Sequence, residues 1–377
     1  MNLSYWEQKT WFSNIDYTIT GSGIVGLFTA LFLKEKFPKA KILILEKGSL
    51  PQGASTRNAG FACFGSMSEL VSNLENESAS DVAALVKMRW EGLHLLRKIL
   101  SDKDIGYQNY GGYELFYDKK HFVKNNDKLI EVNNLLYPIF KENVFRLTPN
   151  TFNFKNCYPQ LIYNPFEGQI DTGKMIASLI KKVQQKGITI LNDFTLKNFQ
   201  QGNNEVKINT NKIDFKTKNL ILTTNGFSAK FFPTLLLDPV LPARGQILIT
   251  RPIPNLKVKG TYHLEQGFYY FRNIDNRILL GGGRNLDIKG ETTTEFGLTK
   301  RIQNKLENLL STVILPDKSI EIEQRWSGIM GMGEHKMPTV KQLDNNIYCG
   351  VKLSGMGIAI GSKAGMKLSN LIINNHE

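Results

Sequence analysis

Three glycines in the stretch TITGSGIVGLFTALFL constrain this chain more than any other feature: Gly21, Gly23 and Gly26 stand in GxGxxG spacing. They lie between a short β-branched run, Asp16 to Thr20, and an apolar helical pattern from about Ile24 to Phe37, with Pro38 just beyond the helix end. Gly21 permits the tight turn, Gly23 lets the backbone approach a pyrophosphate, and Gly26 lets helix and strand pack closely. Phosphates sit at the helix start, where unpaired N–H groups and the dipole favour anions, so Ser22, Ile24 and Val25 of the same turn are expected contacts. A second strand, Ile42 to Glu46, completes a βαβ unit, and Glu46 with its neighbour Lys47 falls where a carboxylate accepts from ribose hydroxyls. The unit reads as a dinucleotide-binding turn.

The segment after the second strand, PQGASTRNAGFACFG, narrows the ligand. It is rich in small residues: Gly53, Ala54, Ser55, Ala59 and Gly60 allow a loop and helix start to press against a flat cofactor. Arg57 brings a fork of donors for phosphate or carboxylate, beside Asn58.

Farther along, the apolar positions Val82, Leu85, Val86, Leu93, Leu96 and Leu100 recur at helical spacing, with Ser80 or Asp81 as the expected cap. A strand at Gly111 to Tyr117 and a lysine-rich helical stretch to about Tyr137 interrupt the nucleotide-binding pattern. It resumes with a helix from Thr172 to Lys186 and strands at Ile188 to Leu191, around Leu196 and Val206, and at Asn219 to Thr223. The runs QILIT, GFYYFRN and RILLGG then predict an antiparallel sheet in a second domain.

The small-residue loop and the glycine fingerprint together resemble the D-amino-acid oxidase, glycine oxidase and sarcosine oxidase superfamily, in which a similar segment lies against FAD. Three further stretches extend the resemblance. The helix and strand leading to Thr195 and Leu196 are similar to the superfamily's adenine contact. TTNGFSAKF places Thr224, Asn225 and Gly226 where a glycine approaches the cofactor. LSGMGIAIG, with Gly355, Met356, Gly357 and Ile358, looks like the final FAD contact, and Gly328 belongs to the similar RWSGIMGMG stretch. The resemblance implies a Rossmann-like FAD-binding α/β domain (1–80, 155–242 and 325–377) and a second α+β substrate domain on an antiparallel sheet (81–154 and 243–324). It implies non-covalent FAD, since no cysteine falls where sarcosine oxidases attach flavin. The expected reaction is hydride transfer from the carbon next to an amine onto flavin N5, giving an imine that hydrolyses.

The resemblance leaves the substrate open. Where glycine and D-amino-acid oxidases carry a carboxylate-clamping arginine, this chain has Met330, and where sarcosine oxidases carry a lysine it has Ala359. In motif it is closest to γ-glutamylputrescine oxidoreductase-like members, whose substrates lack that carboxylate. A simple α-amino acid then requires Arg57, Arg244 or Arg272 to reach in from another wall. Alternation in GFYYFRN sends Tyr269 and Phe271 to one face and Tyr270 and Arg272 to the other, and either face can line a pocket. No catalytic acid or base is nominated, because the flavin performs the difficult step. The electron acceptor is open.

Composition sets the remaining bounds. The net charge of +13 is spread over several lysine-rich segments without interleaved aromatics, which predicts a solvated surface and makes nucleic acid an unlikely partner. A tRNA-modifying flavoenzyme with a related oxidase domain, or a non-catalytic FAD protein, are the alternatives. The three cysteines and five histidines show no ligand spacing, so no metal is expected. With no secretory signal and no membrane-length apolar run, the expected location is cytoplasmic.

Overall fold

The computed structural model describes residues 2–231, 239–316 and 318–375. The βαβ unit forms where the glycine spacing predicts it: strand Ile15–Thr20, helix Ile24–Lys36 and strand Ile42–Leu45. These strands sit at the centre of an eight-stranded sheet, in parallel pairing with each other, with Asp214–Leu222 on one side and with Thr189–Leu191 on the other. Strand Ile347–Val351 extends it in parallel beyond Asp214–Leu222. All four residues of Ile42–Leu45 are buried, as expected of a parallel strand covered on both faces.

One face is covered by helices Ile24–Lys36, Ala79–Leu100, Thr172–Gln185 and Gly357–Asn374, which share a core containing Leu27, Leu93, Leu179 and Leu368. The other is covered by the antiparallel strands Leu196–Gln201 and Val206–Thr210, through Leu196, Val206, Ile208 and Phe215. Helix Ala79–Leu100 is capped by Ser78, upstream of the expected Ser80 or Asp81, because the Ser78 hydroxyl accepts from the Asp81 amide. It packs on the last helix at Gly92, where a Cβ would lie 2.2 Å from the Ala359 carbonyl oxygen.

The second sheet also has eight strands, in the order Ile322–Met332, Leu241–Thr250, Arg277–Gly282, Tyr269–Ile274, Thr261–Leu264, Gly112–Glu114, Gln160–Asn164 and Arg146–Pro149. It is not wholly antiparallel: Thr261–Leu264 and Gly112–Glu114 pair in parallel. Helix Lys300–Leu309 covers one face over a core that includes Leu248, Tyr262, Phe271 and Leu306. Position 325 falls inside a strand of this second sheet, Gln160–Asn164 also belongs to it, and Ala79–Leu100 shares the core of the first. Pairing partners distant in sequence drew these lines, and local periodicity does not record them.

Candidate functional site

A cavity of about 920 Å³ is lined from both sheets: Thr20 and Leu45 come from the first, Gly245, Tyr270 and Met330 from the second. Of the residues expected at the cofactor, all but Ser22, Gly26 and Gly226 line it. Each of those three has a structural task beside it. Ser22 donates to Glu46 Oε2 through its amide at 3.1 Å and its hydroxyl at 2.7 Å. A Cβ on Gly26 would lie 2.2 Å from the Gly21 carbonyl oxygen, which is the close helix–strand contact that its place in the motif implied. One on Gly226 would lie 2.4 Å from the Met330 carbonyl oxygen.

The turn itself has the geometry that glycine permits, with Gly21 at φ 98°. Helix Ile24–Lys36 has no side-chain cap, and the Ile24 amide donates to Ser55 Oγ at 2.9 Å. Glu46, nearly buried, also accepts from the Gly48 amide at 3.0 Å, so protein donors hold the carboxylate at the cavity edge. Past it the cavity runs to Phe194, Thr195 and Leu196, with the Lys47 ammonium 3.8 Å from the centre of the Phe227 ring.

Asn58 knits the small-residue loop together. Its amide nitrogen donates to the Ala54 and Ser55 carbonyls, and its oxygen accepts from the Gly60 amide and the Thr172 hydroxyl. Arg57 stacks on Phe296 at 4.3 Å and donates to the Ser327 carbonyl. Helix Gly357–Asn374, whose first residues also line the cavity, starts without a side-chain cap, after left-handed backbone at Ser354 and Gly355. Asn225 Oδ1 fixes this approach by accepting from the Lys352 amide at 3.0 Å. Two helix starts whose N-cap residues offer no side-chain cap therefore line one cavity, a donor set that suits a dinucleotide with a central pyrophosphate.

Part of the cavity wall is apolar. Phe61, Tyr270 and Met330 supply apolar surface, and the Phe61 ring meets Tyr270 edge-on at 5.5 Å and His263 at 5.3 Å. Tyr270 is thus the pocket member of its strand. Tyr269 is not: it is 1% exposed in the core on the other face of the sheet. Arg272 shares a face with Tyr270 but does not line the cavity. It donates to the Ala59 carbonyl and, at 2.9 Å, to the Ile170 carbonyl, and burial lowers its pKa to about 10. Its fixed task is to hold the loop at Ala59 and Gly60, and a Cβ on Gly60 would lie 2.7 Å from its guanidinium.

Sequence reasoning missed a polar cluster on this wall. Cys63 and Glu69 line the cavity together with His263 and Lys336, from three stretches far apart in the chain. Burial disfavours the His263 imidazolium, yet Glu167 at 2.8 Å, with Glu114 and Glu69, outweighs it and raises the pKa. Burial raises the Glu69 carboxyl, and Arg89 and Lys336 turn the net shift downwards. Glu114, fully enclosed, is pushed up by burial against hydrogen bonds from Ser66 and Ser68. Burial first, then Glu167 and Glu69, raise the Cys63 thiol well above its usual range.

The expectation of no metal rested on spacing along the chain. The fold brings ligand atoms of Cys63, Glu167 and His263 within 4.8 Å of one another. Glu167 Oε2 there accepts from both His263 and the Thr261 hydroxyl, so hydrogen bonds among protein groups already satisfy the carboxylate. No helix among the described residues is long and apolar enough to cross a membrane.

Residues 16–371 match the model of the family DAO, FAD dependent oxidoreductase. The chain is 21% identical over 384 residues to the probable oxidoreductase OrdL of Haemophilus influenzae, covering 98% of this chain and 85% of that one. It is 22% identical over 375 residues to γ-glutamylputrescine oxidoreductase of Escherichia coli, covering 96% and 84%. Among solved structures, a glycine oxidase from Bacillus cereus superposes with a TM-score of 0.78 at 16% identity, over 97% of this chain and 96% of that one, a likeness of fold.

Proposed function

The chain belongs to the family of FAD dependent oxidoreductases, and on that premise we propose that it binds FAD without a covalent bond and oxidises the carbon next to the nitrogen of an amine or amino acid. FAD supplies the hydride acceptor for this chemistry when bound. The oxidised substrate leaves as an imine, which water hydrolyses.

The observation that carries this reading is one cavity lined by two helix starts without N-cap side chains and by the apolar side chains Phe61, Tyr270 and Met330. Gly21, Gly23, Ile24 and Val25 would hold the pyrophosphate, Glu46 a ribose, and Thr195 with Leu196 the adenine end. The first turn of Gly357–Asn374 would offer its amides and positive dipole end to negative charge on the isoalloxazine edge. Phe61, Tyr270 and Met330 exclude water from the substrate side, and an apolar wall favours a neutral amine nitrogen over an ammonium. Non-covalent binding is supported by Cys63: it lines the cavity, but burial keeps its thiol protonated and therefore a poor nucleophile.

Two measurements test the reading. Acid precipitation of the yellow protein should release FAD to the supernatant. Anaerobic addition of primary amines, secondary amines and amino acids should bleach the flavin with at least one class. Flavin that stays with the pellet would refute non-covalent binding. Flavin reduced by dithionite but by no member of the panel would refute amine oxidation.

A further inference from the structure

Four cationic side chains other than His263 line the cavity: Lys47, Arg57, Arg284 and Lys336. Three are engaged by the protein. Lys47 stacks on Phe227, Arg57 stacks on Phe296 and donates to Ser327, and Lys336 lies 3.7 Å from Glu69. The arginines that flank the cavity are engaged as well, Arg272 by the Ala59, Ile170 and Asn273 carbonyls and Arg244 by both carboxylate oxygens of Glu291, each at 2.8 Å.

Arg284 stands apart. Its guanidinium has no hydrogen-bond or ion-pair partner among the described residues, and its Nε is buried without one. Burial lowers its pKa, and Glu291 opposes that only at a distance. Glu291 is not available to it, since Arg244 takes both oxygens and Gln246 donates to one at 3.0 Å. A half-buried guanidinium without an anion is costly, so its retention in a cavity wall points to a partner that arrives with a ligand.

The backbone explains how it comes to face the cavity. Strand Arg277–Gly282 lies beside Tyr269–Ile274, with Gly281 opposite Tyr270 and Gly282 opposite Tyr269. A Cβ on Gly281 would lie 2.6 Å from the Tyr270 ring. Gly282 and Gly283 then adopt φ of 122° and 82°, a left-handed turn that ends the strand and begins the 3-10 turn Arg284–Leu286. The same three glycines thus seat Tyr270 and turn the chain so that Arg284 joins it in the cavity wall.

We propose that Arg284 is the anion clamp of this enzyme, and that its substrate is an amine bearing a carboxylate which the guanidinium receives through paired hydrogen bonds. This rests on the amine-oxidation reading above. A planar fork matches a carboxylate bidentately, which a lysine cannot do. The clamp lies on a different segment from Met330 and Ala359, so their lack of charge does not exclude an acidic substrate.

The experiment compares 4-aminobutyrate, glycine and N-methylglycine with n-butylamine as anaerobic reductants of the flavin-loaded protein. It is run on the wild type, Arg284→Gln and Arg284→Lys, with flavin content and Tm as folding controls. The wild type should be half-reduced by at least one carboxylate-bearing amine at a concentration about thirtyfold or more below that for n-butylamine. Arg284→Gln should erase that preference while leaving n-butylamine unchanged, and Arg284→Lys should restore only part of it. Equal losses on both substrate types, or a wild type without the preference, would overturn the clamp. A separate arm titrates benzoate, which carries the anion but cannot be oxidised. A perturbed flavin spectrum in the wild type and none in Arg284→Gln would uphold the anion site even where every amine fails, and equal perturbation in both would refute it.

Discussion

Nε2 of His263, a residue of the cavity wall, lies 2.8 Å from Oε2 of Glu167 behind it, and both side chains are closed off from solvent. Burial pulls the imidazole pKa down, and Glu167, with Glu114 and Glu69 behind it, more than reverses it. A histidine whose folded pKa lies above its unfolded value of about 6.5 contributes stability fully below that value and loses it as pH rises through the folded one. Glu167→Gln should therefore lower Tm more near pH 6 than near pH 9. A Tm gap that stays constant across that range would mean the ring is neutral throughout.

Glu69 and Arg89 form a second buried pair, 3.0 Å apart, and Arg89 Nε and Nη2 have no other partner among the described residues. Glu69→Gln leaves the guanidinium charged and uncompensated, so urea unfolding should show a loss of about 3–5 kcal/mol, and adding Arg89→Met should recover much of it. The Glu69 pKa is held low despite burial. Its contribution is present above the unfolded carboxyl value of about 4.3 and disappears as pH falls through the folded one. A loss under about 1 kcal/mol at neutral pH would show the pair to be dispensable.

Gly26→Ala puts a methyl group 2.2 Å from a backbone oxygen and 2.7 Å from Thr223 Oγ1. Neither can recede without moving the strand or the turn, so we expect about 1–3 kcal/mol of destabilisation and a reduced flavin-to-protein ratio. Gly53→Ala is the control for stability, since a Cβ there meets no protein atom within 4 Å and φ is −75°. Equal Tm in the two variants would contradict the close-packing role of Gly26.

The three cysteines should differ in reactivity for reasons of access rather than number. Cys63 and Cys349 are buried and Cys157 is partly exposed, while burial raises all three thiols. Alkylation of the native protein near neutral pH should label Cys157 first, as read by peptide mass. Early labelling of Cys63 would mean that the cavity wall opens.

The first fifty residues were legible because turn chemistry and helix packing there are local. Gly21, Gly23 and Gly26 act on neighbours a few positions away, so their spacing carries the reason for each. The face of the second sheet that meets the cavity was not legible. Alternation separates Tyr269 from Tyr270 but does not say which side carries helix Lys300–Leu309, and that helix decides which tyrosine is core.

Charge was harder still. Arg57, Arg244, Arg272 and Arg284 look alike in one dimension, and each takes its role from a partner far along the chain: Ser327, Glu291, the Ala59 and Ile170 carbonyls, and for Arg284 no protein group among the described residues. The nucleotide-binding turn and the small-residue loop could be read in one dimension, because those depend on backbone sterics between adjacent residues. Which cation is left facing the cavity emerges only in three dimensions, because pairing in a low-dielectric interior depends on distance in space and on what has already been satisfied.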